Sequence, residues 1–372
     1  MGNENICKIQ DRLAKEGLAA VVLNSTENVT YTAGYEVPSQ AFPIRERIMS
    51  CVIPASGKTI MLTSDMEYSL AKAQSCLDEV RQYDEFTQDP MEVLKEILEE
   101  IGIANGVLAV EEDFLPAQHY NHLIHIMKKT KFTPARAIMS DLRAVKTDGE
   151  LDKLRTVNKV AELAHHFAAE KCQAGDTELQ YARCLTEYLY SNGTETITRL
   201  VVGAGERSEF GNANPTIRKM NHGEIVRADI FAKMGGYLSD VARTLVVGEP
   251  NQIQKDNWKK VIDSHHLVLG MIRAGASTRN IYEAFNKFFV KVGLDPINFV
   301  GHGLGVTLHE EPYISKFHDT ELKAGMVLAI EPIYFPKGEG YQVEDIVIVT
   351  PTGYELVTNG VSTSNLIIIG NN

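Results

Sequence analysis

Four acidic residues and one histidine are spaced as a metal-holding chain would space them. Asp229 and Asp240 flank a Gly235-Gly236 turn signal, and Glu331 and Glu344 flank Lys337-Gly338. The residues around each turn predict two β-hairpins. The spacing predicts that each acidic pair is directly opposed, with Cβ atoms about 5 Å apart on one face. Opposed carboxylates on a half-buried sheet repel one another, so something positive must lie between them. Between the pairs in sequence stands Gly301-His302-Gly303-Leu304-Gly305, which supplies a borderline nitrogen ligand. One divalent ion cannot neutralise four carboxylates, whereas two ions with a bridging hydroxide come close. Oxygen-rich ligation with one imidazole suits manganese, cobalt, zinc or iron better than calcium or a structural Cys-type zinc. Such ions deliver hydroxide near neutral pH and polarise a carbonyl, which is hydrolytic chemistry. Acidic residues in hairpins are more often solvated surface, but that does not explain the same symmetric arrangement twice in one chain.

Helices and strands must hold these hairpins in place. In the first part of the chain, residues 17–23, 49–53, 59–63 and 107–110 read as strands, with helical patterns at 90–103 and 116–127 between and after them. That alternation predicts a compact α/β domain over residues 1–140. The segment Leu142-Arg143-Ala144-Val145-Lys146-Thr147 marks the change to a second domain, residues 141–372. Thr147 followed by Glu150 is a capping box, and a long helix runs from there to about residue 171. A second helix at 178–190, strands near 197–202, and helices at 255–272 and 278–292 surround and separate the two hairpins. This half reads as α+β, an antiparallel sheet wrapped by helices, and the sequence shows no clean internal repeat. His119, His122 and His125 share a helix face, but no carboxylate or cysteine lies nearby in sequence, so a half-exposed face is expected. His165-His166 and His265-His266 lie in helices. Neighbours on a helix point about 100° apart, so packing or surface roles are expected rather than chelation.

At 372 residues the chain is long enough for two cores. A net charge of −12 disfavours nucleic-acid and anionic-membrane partners. No apolar run reaches the length of a bilayer span. Met1-Gly2-Asn3-Glu4-Asn5 has neither a basic region nor an apolar stretch, so no signal peptide is expected, and Ile6 weakens a lipidation reading. The five cysteines are scattered and lack any Cys-x-x-Cys, which reads as reduced thiols in a cytoplasmic protein.

Three stretches resemble the pita-bread-fold metallopeptidases: methionine aminopeptidase, aminopeptidase P and prolidase, with the non-peptidase creatinase. They are Asp229-Ile230 with Gly236-Tyr237-Leu238-Ser239-Asp240-Val241-Ala242-Arg243-Thr244; Gly301-His302-Gly303-Leu304-Gly305 through His309-Glu310-Glu311-Pro312; and Gly325-Met326-Val327-Leu328-Ala329-Ile330-Glu331-Pro332 with Val343-Glu344-Asp345. Asn28-Val29-Thr30-Tyr31-Thr32-Ala33-Gly34-Tyr35 resembles the smaller domain of the prolidase, aminopeptidase P and creatinase branch. The resemblance implies a creatinase-like α/β domain followed by a pita-bread catalytic domain of two pseudo-equivalent halves. It implies two divalent ions per chain, manganese first, with cobalt, zinc or iron as alternatives. Asp229 would bind one ion, Asp240 and Glu344 would bridge both, and His302 and Glu331 would complete the other. Glu331 would shuttle a proton, and His309 would contact substrate just outside the ligand set. Tyr237, Arg243 and Thr244 would support the ligands. A homodimer is the family expectation, with the small domain of one subunit closing the other's site.

Two departures bear on substrate. Family peptidases carry a histidine shortly before a Pro-Ser or Pro-Thr step, and here Asn212 stands at that distance before Pro215-Thr216. An amide hydrogen-bonds but carries no proton at neutral pH. Some prolidases grip a dipeptide's free carboxylate with an arginine after the proline of the second stretch, the one that carries His309, and here Tyr313 follows Pro312. The leading expectation is hydrolysis of the bond before proline in dipeptides or short peptides. A small-molecule C–N hydrolase of the creatinase or ectoine-hydrolase kind is the alternative on the same scaffold. A non-catalytic binding module is disfavoured, because all five ligand positions are kept.

Overall fold

The computed structural model describes residues 4–41 and 47–370; Met1-Gly2-Asn3, at the head of the N-terminal segment read above, lies outside them. The chain packs as two units, Met1–Arg143 and Ala144–Asn372.

The first unit is built on six strands: β1 (Ala20–Leu23), β2 (Ser50–Pro54), β3 (Ile60–Ser64), β4 (Glu79–Tyr83), β5 (Val107–Val110) and β6 (Lys131–Pro134). Their spatial order is β4-β3-β2-β1-β5-β6. The sheet is mixed: β1 runs antiparallel to β2 and parallel to β5. Helices α1 (Glu4–Glu16), α2 (Thr26–Ala33), α3 (Asp65–Gln74), α4 (Pro90–Glu100), α5 (Ala117–Ile126) and α6 (Arg136–Ala144) connect them. Val22, Val52, Leu62, Leu94 and Leu108 are among the side chains of its core. The two edge strands, β4 and β6, escaped the sequence reading. They carry exposed polar residues such as Gln82 and Lys131 and so lack an apolar run. His122, with no acidic neighbour in sequence, lies 3.5 Å from Glu92 at the start of α4.

In the second unit α7 (Asp148–Lys171) opens on the expected capping box, Thr147 accepting from the Glu150 N–H and Glu150 accepting in return. Next come α8 (Glu178–Ser191), β7 (Thr196–Ala204), β8 (Ile225–Met234), β9 (Tyr237–Leu238) and β10 (Val241–Val247). Then the plan recurs, with α9 (Gln252–Leu269), α10 (Thr278–Lys291), β11 (Phe299–Gly303), β12 (Glu310–Ser315), β13 (Val327–Ile330), β14 (Ile333–Tyr334), β15 (Tyr341–Gln342), β16 (Asp345–Val349), β17 (Tyr354–Leu356) and β18 (Ile367–Ile369). One sheet has the order β18-β10-β8-β7 with β9 on β8, and the other has the order β12-β11-β13-β16-β17.

The halves repeat in sequence after all, at a spacing of one hundred residues. His165-His166 answers His265-His266, and Gly175 answers Gly275 with positive φ at both. Thr177 caps α8 and bridges to Lys219, while Ser277 caps α10 and bridges to Glu321. His165 and His265 are buried, and His166 and His266 are exposed. The repeat is hard to see because few side chains are identical. What repeats is the alternation of buried and exposed positions along each helix pair.

Candidate metal centre

The second acidic pair is opposed as the spacing predicts. Ile330 pairs with Asp345 and Ile333 with Gln342, so Glu331 and Glu344 face each other in one continuous register. The first pair is not. Gly235 and Gly236 both have positive φ, and they close a two-residue turn that pairs Met234 with Tyr237. This register sets Ala242 opposite Asp229. Asp240 therefore lies two residues away on the same face, a diagonal neighbour of Asp229 rather than its partner. It falls in the break between β9 and β10. Ser239 spans that break, its Oγ accepting from the Ala232 N–H and donating to the Ile230 carbonyl, while the Asp240 N–H donates to Asn158 Oδ1.

His302 sits in β11 between two glycines for a packing reason. A Cβ at Gly301 would come within 2.5 Å of the Ala329 carbonyl, and one at Gly303 within 2.5 Å of the Glu311 carbonyl. The neighbouring strands close tightly around the imidazole, which is fully buried. Its Nε2 lies 3.4 Å from Asp240 Oδ2 and 3.2 Å from Glu331 Oε1. Ligand atoms of Asp229, Asp240 and Glu344 lie within 4.8 Å of one another, as do those of His302, Glu331 and Glu344. The two triplets share Glu344, and all five side chains are buried.

Burying carboxylates together is costly, and the protonation equilibria of Asp229, Asp240 and Glu344 reflect it. Burial lifts Asp229 to about 7 against the pull of Arg227. Burial, with repulsion from the other carboxylates, pushes Asp240 and Glu344 well above the usual range. Among the described residues, Asp229 Oδ1, His302 Nε2 and both carboxylate oxygens of Glu344 have no hydrogen-bond partner. Buried polar atoms are almost always satisfied, so orphaned atoms converging on one spot fit a cation held there. The donor set suits divalent metal of the manganese-to-zinc range.

The other expected residues are distributed as follows. His309 is exposed at its surface, its ring 3.9 Å from that of His302, and partial desolvation, with the neighbouring His302, lowers its pKa. One of its nitrogens lies within 4.8 Å of ligand atoms of Asp240 and His302, so it is close enough to ligate as well as to touch substrate. The Tyr313 ring lies 6.4 Å from that of His309. The Arg243 guanidinium donates to the carbonyls of Ala242 and Glu344 and to Asp345 Oδ1, which secures the strand under Glu344. Thr244 Oγ1 bonds both the N–H and the carbonyl of Gln342. Tyr237 turns away toward α7, where its hydroxyl meets Glu150 Oε1 at 3.0 Å. Asn212 is exposed, and its carbonyl accepts from Arg199 Nη2 at 2.8 Å.

Two residues beside the centre escaped the sequence reading. Arg227 and Gln342 are buried, bonded to each other, and lie two positions before Asp229 and Glu344. Strand periodicity puts residues i and i−2 on one face, so a polar residue two before each carboxylate was the signal. A buried ion pair, Lys146 with Glu310 at 3.2 Å, anchors the loop that carries His309. Lys146 had no sequence signal.

Sheets that meet over buried acids and an imidazole suit a metallohydrolase centre, and comparison with known proteins gives the family. Residues 152–351 match the model of metallopeptidase family M24, and residues 6–145 match the creatinase/prolidase N-terminal domain. The chain belongs to metallopeptidase family M24. It is 25% identical to an Xaa-Pro dipeptidase of Pyrococcus horikoshii over 96% of this chain and 97% of that one. It is 28% identical to a probable dipeptidase, PepE, of Mycobacterium tuberculosis, over 93% and 91%. The crystal structure of an X-Pro aminopeptidase from Thermotoga maritima superposes with a TM-score of 0.87 at 22% identity, covering 98% of this chain and 99% of that one. Among the described residues no helix is long and apolar enough to cross a membrane.

Proposed function

We propose that this protein is a dinuclear-metal peptidase that cleaves the bond before proline in dipeptides or short peptides. The observation that carries the reading is the set of orphaned buried atoms on Asp229, His302 and Glu344, arranged in two triplets that share Glu344. The Xaa-Pro dipeptidase of Pyrococcus horikoshii, matched along nearly its whole length, supports the substrate class.

Asp229, Asp240, His302, Glu331 and Glu344 would hold two divalent ions, manganese first. When bound, the ions polarise the scissile carbonyl and lower the pKa of a water toward neutrality. The protein's own groups supply the proton traffic. Glu331 Oε1 faces His302, and its Oε2 accepts a hydrogen bond from Gln342 at 3.2 Å. From that position Glu331 takes the proton of the attacking water and returns it to the leaving nitrogen. His309, kept neutral by its lowered pKa, donates a hydrogen bond to the carbonyl oxygen as charge develops there. Tyr313 contributes a wall for the prolyl ring. The protein works in the cytoplasm as a homodimer. Small-molecule amides are the alternative substrates, and Asn212 is the residue that favours them.

A substrate panel tests this reading. Manganese-loaded protein should hydrolyse Xaa-Pro dipeptides and Xaa-Pro tripeptides and leave creatine and ectoine untouched. Cleavage of creatine or ectoine with no turnover of any Xaa-Pro peptide would overturn it. Native mass spectrometry reports the oligomer.

A further inference from the structure

Glu331 has a geometric problem that its own side chain does not solve. The last torsion of a glutamate has a broad, roughly two-fold well, so the carboxylate is not aimed by its rotamer. Its Oε2 is aimed from outside, by Gln342 Nε2. The orientation of that amide is itself determined. Gln342 Oε1 accepts from Arg227 Nη1 at 2.8 Å. A guanidinium only donates, so the amide oxygen must face Arg227 and the NH₂ must face Glu331. Both residues are 2% exposed. The Gln342 main chain is held at both its N–H and its carbonyl by Thr244 Oγ1.

The rest of the Arg227 guanidinium faces a different segment. Its Nε donates to the Ser208 carbonyl at 3.0 Å, and its Nη2 donates to the carbonyls of Phe210 and Gly211. That segment leads directly into Asn212. One buried cation thus ties the stretch carrying Asn212 to the carboxylate that moves the proton.

We propose that Arg227 acts through Gln342 as a positioning pair for Glu331, while the same guanidinium sets the 208–211 segment beside the substrate. This rests on the reading of Glu331 as part of the peptidase centre. The two functions of Arg227 separate by mutation. Gln342→Met breaks the link to Glu331 together with the Arg227 Nη1 bond, and leaves the guanidinium's bonds to Ser208, Phe210 and Gly211. It should lower kcat about 10–100-fold, the usual effect of removing a ligand's supporting partner, and leave KM within about twofold. Arg227→Lys keeps the charge but not the fork. It should lower kcat similarly and also raise KM.

The deciding measurement is the double-mutant cycle, read in kcat and, independently, in manganese affinity by calorimetry, with circular dichroism to check folding. If the pair acts as one chain, the double variant is no worse in kcat or manganese affinity than the more damaged single variant, to within about threefold. Losses that multiply, or a Gln342→Met protein with wild-type kcat and manganese affinity, overturn the proposal. Manganese affinity also separates the two failures. A wild-type protein that cleaves no Xaa-Pro peptide refutes the functional reading, while coupling in the manganese cycle still supports the pair.

Discussion

Loading the centre with metal must expel protons, and the burial of its carboxylates says how many. Asp229 is lifted to about 7, and Asp240 and Glu344 are held above the usual range. At pH 6 a group of pKa 7 is about nine-tenths protonated, and a proton on one carboxylate relieves its neighbours. Asp229 therefore holds about one proton in the metal-free chain, and Asp240 and Glu344, raised above the usual range, add to it. A ligating carboxylate keeps none, so manganese binding at pH 6 should release more than one proton per chain. Carboxylates at ordinary values near ~4 would already be ionised. Isothermal titration calorimetry in two buffers of different ionisation enthalpy counts the protons directly. The same linkage has a sign for stability. These pKa values are raised above those of the unfolded chain. Their contribution to the metal-free fold is therefore present in full below about pH 4 and is lost as pH rises through 7. For Asp229 alone, a shift of about three units is worth on the order of 4 kcal/mol. Metal-loaded protein escapes that loss, so the Tm gap between loaded and stripped protein should widen from pH 5 to pH 8. One proton or fewer released at pH 6, or a gap that narrows, refutes the burial argument.

Other substitutions probe single residues. Asp240→Asn should lose both metal ions, because its position between His302 and Glu344 serves each site; retention of one ion by elemental analysis counts against a bridging role. His309→Ala should keep the metal and lose about 100- to 1,000-fold in kcat, the usual effect of removing a donor to developing charge; loss of metal instead would show that His309 ligates. Lys146→Met removes the cation paired with the buried Glu310 carboxylate and should cost about 3–5 kcal/mol in urea unfolding; a change below about 1 kcal/mol would mean the pair is idle. Asn212→His should raise kcat/KM on Xaa-Pro peptides and add a pH dependence near ~6.5, whereas damage to a native small-amide reaction would mark Asn212 as a specificity residue.

The sequence was most legible where local rules decide the outcome. The capping box at Thr147, the helix pairs and the Glu331–Glu344 hairpin all follow from neighbours within a few residues. Register was harder. The midpoint between Asp229 and Asp240 falls one residue before the turn that forms, because two glycines able to take positive φ outrank symmetry in choosing where the chain reverses. The error moved Asp240 by two residues, which preserves its face, so the centre survived a mistaken pairing. Edge strands β4 and β6 were invisible because their exposed residues carry no apolar period. The Lys146–Glu310 and Arg227–Gln342 contacts join residues more than a hundred positions apart, and a single sequence holds no signal for such meetings.

Strand β18 follows every other strand in the chain, yet it belongs to the sheet of the first half, lying parallel to β10. During synthesis on a ribosome, β8 and β10 emerge and can pair long before residues 367–369 exist. Until then the outer side of β10 at Leu245-Val246-Val247, all three buried, is a bare, sticky edge. The nascent first half therefore cannot complete its sheet alone and must wait for the whole second half, exposed to wrong partners meanwhile. Trimming the chain before Ile367 would leave every proposed metal ligand in place and still yield a protein inclined to pair edge to edge.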